Sequence, residues 1–207
     1  MALELNGTTG VSLVQDGVVT AADLNSTLDL TGKTVTLPAA SSAMTLLFED
    51  TDGLTGASEI ELSLPDGDYY HYRLIFNGLY LSTNADLYWR VKNTSGTELT
   101  GYARALTAAG AGFSVASGAS NSGSDGRVNY TALSAYWNSF EVDIYNARNS
   151  SVRTHIHFML YGLDANANIT VHMGGSSRTD VEENSAILWR PQSGTISCTS
   201  YKLYGVK

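Results

Sequence analysis

Cysteine is all but missing from this chain: Cys198 is the only one. No intrachain disulfide can form, which excludes a disulfide-stapled secreted domain. The thiol itself reads as a small apolar residue on a terminal strand, not as a reactive group. Basic residues are also scarce, 12 against 20 acidic ones, for a net charge of −8. They form no stripe, and phosphate neutralisation supplies most nucleic-acid affinity, so nucleic acid is excluded as a partner and anionic membrane surfaces are disfavoured. No run approaches the ~20 apolar residues that span a bilayer, so no membrane insertion is expected. The opening Met1-Ala2-Leu3-Glu4-Leu5 has neither a basic region nor an apolar run, which predicts no secretion signal and a product that stays soluble in the cytoplasm where it is made. The Asn-x-Ser/Thr triplets at Asn6, Asn25, Asn93, Asn129, Asn149 and Asn168 then reflect turn composition and not glycan acceptors.

Helical periodicity is missing as well, and what replaces it is alternation. Apolar residues recur mostly at period two, the pattern of half-buried strands. Strands are predicted at Thr45–Glu49, Ile60–Leu64, Tyr70–Asn77, Ala85–Lys92, Glu98–Leu106, Arg127–Thr131, Ser139–Tyr145, Arg153–Gly162, Ala186–Arg190 and Thr195–Gly205. Turn clusters separate them, among them Asp66-Gly67-Asp68, read as a hairpin, and Asn93-Thr94-Ser95-Gly96. The Ser/Gly/Asn tract over 117–126 reads as a flexible connecting loop. This pattern predicts an all-β fold, a jelly-roll-like antiparallel β-sandwich. In Phe140-Glu141-Val142-Asp143-Ile144-Tyr145 the apolar side chains share one face and the two carboxylates share the other. By contrast Ile156-His157-Phe158-Met159-Leu160-Tyr161 is almost continuously apolar. That strand is expected to be covered on both faces, by the opposite sheet on one side and by an arm or a neighbouring subunit on the other. Residues 1–43 hold no aromatic side chain and too few large apolar groups to fold alone. They are expected to form an N-terminal docking arm or adaptor, with 44–207 as the sandwich domain.

The residues that carry chemistry are sparse. No Gly-x-Ser-x-Gly elbow is present, and the histidines are four: His71, His155, His157 and His172. Glu141 and Asp143, two apart on one strand face, stand at a carboxyl separation of roughly 6–7 Å, which a glycosidase could use. Solvated strand charges explain them equally well. His155 and His157 point to one face of a strand, so three copies around an axis would offer six imidazole nitrogens to a metal ion; two histidines on a polar face are the plainer reading. Asp50-Thr51-Asp52-Gly53 begins like a calcium loop but lacks the later ligands. No cofactor is expected. Aromatic residues are plentiful, with 12 Tyr, 3 Trp and 5 Phe. Tyr69, Tyr70, Tyr72, Tyr80, Tyr88 and Trp89 fall close together, and Tyr136-Trp137 form a further pair. Exposed Tyr and Trp stack on sugar rings and also favour protein interfaces. Tyr80, Tyr88, Trp89, Tyr136 and Trp137 are therefore the receptor or interface candidates. Tyr88 and Trp89 must point to opposite faces of their strand, so at most one of them lies in the core.

Three stretches resemble known proteins. Asn6-Gly7-Thr8-Thr9-Gly10-Val11 followed by Asp16-Gly17-Val18-Val19-Thr20-Ala21-Ala22-Asp23-Leu24 resembles head-proximal segments of phage tail fibres. Tyr69–Leu81 with Asp86-Leu87-Tyr88-Trp89-Arg90-Val91, and the ending Tyr201-Lys202-Leu203-Tyr204-Gly205-Val206, resemble small phage jelly-roll proteins. The resemblance implies an accessory structural protein of a tailed-bacteriophage virion, made in the host cytoplasm and assembled on the particle. It further implies a homotrimer whose residues 1–43 dock on other virion proteins, and it transfers no catalytic residue. A short tail fibre or spike that contacts a host surface glycan is the leading expectation. A head-decoration (cement) protein is the alternative, and a carbohydrate-active enzyme a distant third.

Overall fold

The computed structural model describes residues 43–110, 113–120, 123–129, 138–163 and 167–207. The expected arm, Ala43 apart, lies outside the described residues, as do Tyr136 and Trp137. The described chain contains strands and no helix: β1 (Met44–Asp50), β2 (Leu54–Ala57), β3 (Ile60–Ser63), β4 (His71–Leu81), β5 (Leu87–Asn93), β6 (Tyr102–Gly110), β7 (Phe113–Ser120), β8 (Gly126–Arg127), β9 (Asn138–Tyr145), β10 (His155–Leu163), β11 (Ile169–Arg178), β12 (Asn184–Pro191), β13 (Ile196–Cys198) and β14 (Ser200–Val206). The larger sheet runs β1-β14-β4-β9-β10-β11-β6-β7, with β13 and β2 attached beside β4; the smaller runs β3-β12-β5-β8. Every strand pairing is antiparallel. The all-β, jelly-roll-like sandwich expected from the alternation is the observed fold.

Alternation places the core. Leu74 and Phe76 on β4, Phe140, Val142 and Ile144 on β9, and Ile156, Phe158 and Leu160 on β10 are all buried from the larger sheet. Ile60 and Leu62 on β3, Leu87, Trp89 and Val91 on β5, and Ile187 and Trp189 on β12 join them in one cluster from the smaller. Glu141 is exposed and Asp143 half-buried on the opposite face of β9, as the pattern of that strand predicts. The rings interlock edge to face: Trp189 meets Phe140 at 5.1 Å and 82°, and Phe76 at 6.1 Å and 79°. Cys198 is buried on β13, and burial pushes its thiol up from its ordinary pKa, in keeping with a packing role.

Four expectations need correction. Asp66-Gly67-Asp68 is not a hairpin: it joins β3 in the smaller sheet to β4 in the larger, so the chain changes sheets there. The tract 117–126 is not all connecting loop, because its first residues end β7, which pairs with β6 from Arg104↔Ser120 to Gly110↔Phe113. Its small side chains lower strand propensity, but the ladder with β6 supplies the missing order. The predicted strand over Glu98–Leu106 begins only at Tyr102.

The fourth concerns β11, absent from the predicted strands: its residues alternate, but with inverted polarity. Thr170, His172, Ser176 and Arg178 are buried on its inner side, while Ile169 is 70% and Met173 40% exposed on its outer side. Two of the inward side chains have bonds to the backbone: Ser176 Oγ donates to the Ala103 carbonyl at 3.0 Å, and Arg178 donates to the Thr100 carbonyl beneath the Tyr102 ring, while Thr170 Oγ1 is buried with no hydrogen-bond partner. Gly174 lets this strand approach its neighbour; a Cβ there would meet the carbonyl oxygen of Ala105 and, at 3.0 Å, the Cα of Leu106. Gly174→Ala is therefore expected to lower stability by about 1–3 kcal/mol through overpacking. Urea unfolding would report it, and an unchanged midpoint would mean that β6 can yield.

Candidate functional site

Register carries most of the singled-out polar residues to one place, the outer face of the larger sheet. His71↔Tyr145↔His155 lie in one row across β4, β9 and β10, and Arg73↔Asp143↔His157 in the next. The first row stacks. The His71 and Tyr145 rings sit 4.8 Å apart at 26°, and Tyr145 and His155 4.9 Å apart at 14°. In the second row Arg73 grips Asp143 at two points, Nε to Oδ1 at 2.7 Å and Nη2 to Oδ2 at 2.9 Å. His71 Nε2 lies 3.7 Å from the same carboxylate. Burial lowers the His71 pKa below its ordinary value, and the Asp143 charge offsets part of that.

The chemistry open to this face is limited. A glycosidase pair needs one carboxyl held protonated beside an ionised one. Asp143 is instead held by Arg73 at two points, while Glu141 stands exposed in solvent. His155 and His157 do share a face, as their spacing requires, and both are exposed. Among the described residues no group of three or more His, Cys, Asp or Glu is placed to hold a metal ion. At Asp50 the carboxylate is occupied by the chain itself, accepting from the Asp52 and Gly53 amides at 3.0 and 2.8 Å.

Beside these rows the face is apolar. Met159 pairs with Met173, Tyr161 with Val171 and Leu163 with Ile169 across β10 and β11, and Ile75 continues the Met159 row through Glu141 onto β4. Tyr161 is 46% exposed and donates its hydroxyl to Met159 Sδ. The second cover expected for β10, from the arm or a neighbouring subunit, lies outside the described residues of the single chain. The inner side of β10 is buried, its outer side is half-open, and the open side is where the inverted β11 adds further apolar groups.

The aromatic candidates scatter. Trp89 is buried in the core, edge-on to Tyr102 at 4.8 Å and packed over Gly126, so its indole offers nothing to a ligand. Its neighbour Tyr88 is half-buried on the opposite side of β5 and donates to Asp86 at 3.4 Å; burial first, and that carboxylate second, raise its pKa. Tyr80 is half-buried at the far end of β4, beside Ser197. Tyr136 and Trp137 lie outside the described residues. Arg73 and Tyr145 were invisible as site residues in the sequence, since each owes its surroundings to strand register. Among the described residues no helix is long and apolar enough to cross a membrane. Comparison with protein-family models, with curated proteins and with solved structures finds no match for this chain.

Proposed function

We propose that this chain is a non-enzymatic structural protein of a tailed-bacteriophage particle, a short trimeric tail fibre or spike that attaches to the host cell surface. The observation that carries the reading is the inverted strand β11. It spends buried positions on Thr170, His172, Ser176 and Arg178 and presents Ile169, Val171 and Met173 outward. A monomer gains nothing from that arrangement, whereas a subunit that packs this face against a copy of itself gains apolar burial. The resemblance of 6–24, 69–91 and 201–206 to phage fibre and jelly-roll proteins supplies the particle, and residues 1–43 are the segment that docks on other virion proteins.

Sedimentation at micromolar concentration is expected to give a trimer. Combining Tyr161→Lys with Met173→Lys is expected to give a folded monomer, because both side chains are exposed in the single chain, and its unfolding midpoint should lose the dependence on protein concentration that a trimer shows. A monomeric wild-type protein would overturn the assembly reading. Cryo-EM of the intact particle separates the two locations: density at the tail in three or six copies supports the fibre, and density spread over the head lattice supports a cement protein instead. Loss of turnover on a polysaccharide upon changing Glu141 or Asp143 would return the enzyme reading.

A further inference from the structure

A second recess lies away from the apolar face, where the 64–70 crossover meets the loop that follows β9. It is lined by Asp66, Gly67, Tyr69, Tyr70, Tyr72, Asn146, Arg148, Asn149 and Ser150 and has a volume of about 400 Å³. We infer that this cleft binds a neutral pyranose ring, with Tyr70 as the stacking platform and Asp66 as the principal acceptor of sugar hydroxyls. The inference rests on the attachment reading for its biological role, and on the cleft alone for its chemistry.

The aromatic wall comes first. The Tyr70 ring is 79% exposed, the most open of the large apolar or aromatic side chains among the described residues. Its backbone is nevertheless fixed, because the Tyr70 amide donates to the Val206 carbonyl at 2.8 Å and extends the β4–β14 ladder. A large ring held out in water on an ordered backbone loses little freedom when a ligand stacks on it. Tyr69 beside it is seated. Its ring lies on Gly205, where a Cβ would come within 2.5 Å of it, and tilts against Tyr72 at 5.8 Å. The Tyr72 hydroxyl donates to the Pro65 carbonyl at 2.6 Å, and burial raises its pKa to about 12, so it acts as a strut and stays protonated.

The polar wall is equally fixed. Asn146 adopts a left-handed conformation at φ 57°, one that asparagine tolerates better than most residues. The turn it opens is closed by the Asn149 amide on the Asn146 carbonyl at 3.1 Å and the Ser151 amide on Asn149 Oδ1 at 2.8 Å. Arg148 ties the two walls together, reaching Asp66 at 2.9 Å and Glu183 at 3.1 Å. That sharing decides the ligand class. A guanidinium already divided between two carboxylates is a poor anchor for a third anion, which argues against uronates, sialates and phosphates. The Asp66 side chain remains 81% exposed, and Arg148 lowers its pKa, so an ionised acceptor with open lone pairs faces the cleft. Hydroxyl groups above an aromatic face, without charge, fit this set of neighbours.

The test uses the full chain. Saturation-transfer NMR with methyl glucopyranoside, methyl galactopyranoside and glucuronate is expected to show millimolar binding of one or both neutral sugars and none of the uronate. Tyr70→Ala is expected to weaken that binding about tenfold while leaving the unfolding midpoint in place, because the ring packs on nothing. Asp66→Asn is expected to weaken it by a smaller factor. Absence of binding by either neutral sugar, tighter binding of glucuronate, or affinity indifferent to Tyr70→Ala would overturn the proposal. Its failure is distinguishable from failure of the attachment reading: a tail-located protein that ignores sugars sinks the cleft alone, while a sugar-binding protein found over the head lattice sinks host attachment alone.

Discussion

Trp189→Ala is expected to destabilise the sandwich by about 3–5 kcal/mol, the largest effect of any single side-chain truncation considered. The indole is fully buried on β12 and stands edge-on between Phe140 and Phe76, which belong to the opposite sheet. Truncation therefore removes the piece that locks one sheet against the other and opens a cavity beside the Phe140 and Phe76 rings. Rings held in stacked and tilted contacts with one another, Phe140 with Phe158 at 6.2 Å and Phe76 with Tyr201 at 5.7 Å, collapse poorly into such a void. The Trp189 Nε1 has no hydrogen-bond partner, so the substitution forfeits packing alone and strands no polar group. Guanidinium unfolding would show the midpoint fall at nearly constant slope, and the melting temperature would fall by roughly 10 °C. A loss below about 1 kcal/mol would mean that the two sheets are held together elsewhere than through this cluster.

The inner faces of β4, β5 and β9 were legible in the sequence because each buries every second residue against the other sheet and leaves mostly polar groups outside. Phe140-Glu141-Val142-Asp143-Ile144 is the plainest instance. The same logic failed wherever the outer surface is not simply solvent. On β11 the apolar residues Ile169, Val171 and Met173 alternate correctly but point outward, and the buried positions are polar. On β7 glycine and serine dilute the pattern to nothing. The sheet-changing turn at Asp66-Gly67-Asp68 reads like a hairpin because local turn chemistry is blind to which sheet the next strand will join. The candidate sites share this weakness: the His71, Tyr145 and His155 stack draws one ring from each of three strands, and the tyrosine cleft pairs residues near 66–72 with residues near 146–150. Aromatic abundance pointed to the neighbourhood of Tyr70. It did not separate Tyr70, which is open, from Trp89, which is core, because period two constrains Tyr88 and Trp89 relative to each other and says nothing of their exposure.

Asp125→Asn is expected to cost about 1–3 kcal/mol at neutral pH and to flatten the acid limb of the stability curve. Asp125 sits between two arginines on adjacent strands of the smaller sheet. Arg90 Nε reaches its Oδ1 at 2.5 Å and Arg190 Nη2 the same oxygen at 2.9 Å, while Glu98 takes the other ends of both guanidiniums at 2.9 and 3.5 Å. Burial alone would raise the Asp125 carboxyl, but hydrogen bonds from Arg90, Ser124 and Arg190 outweigh it and hold the pKa at about 2. The ordinary value is 3.8, so the folded state binds this proton less readily than the unfolded one. Its stabilising contribution is therefore complete above about pH 4 and disappears as the pH falls towards about 2, with a size near 1–2 kcal/mol once solvent screening is allowed for. The asparagine variant has no proton to take up at this site, so its stability should fall less than that of the wild type between pH 5 and pH 2. Removing the carboxylate also leaves Arg90 and Arg190 to share Glu98 alone, which is why the loss at neutral pH exceeds that of an ordinary surface pair. Parallel urea titrations of both proteins at several pH values measure the difference directly. Parallel acid limbs would mean that the two arginines hold Glu98 and release Asp125 to solvent.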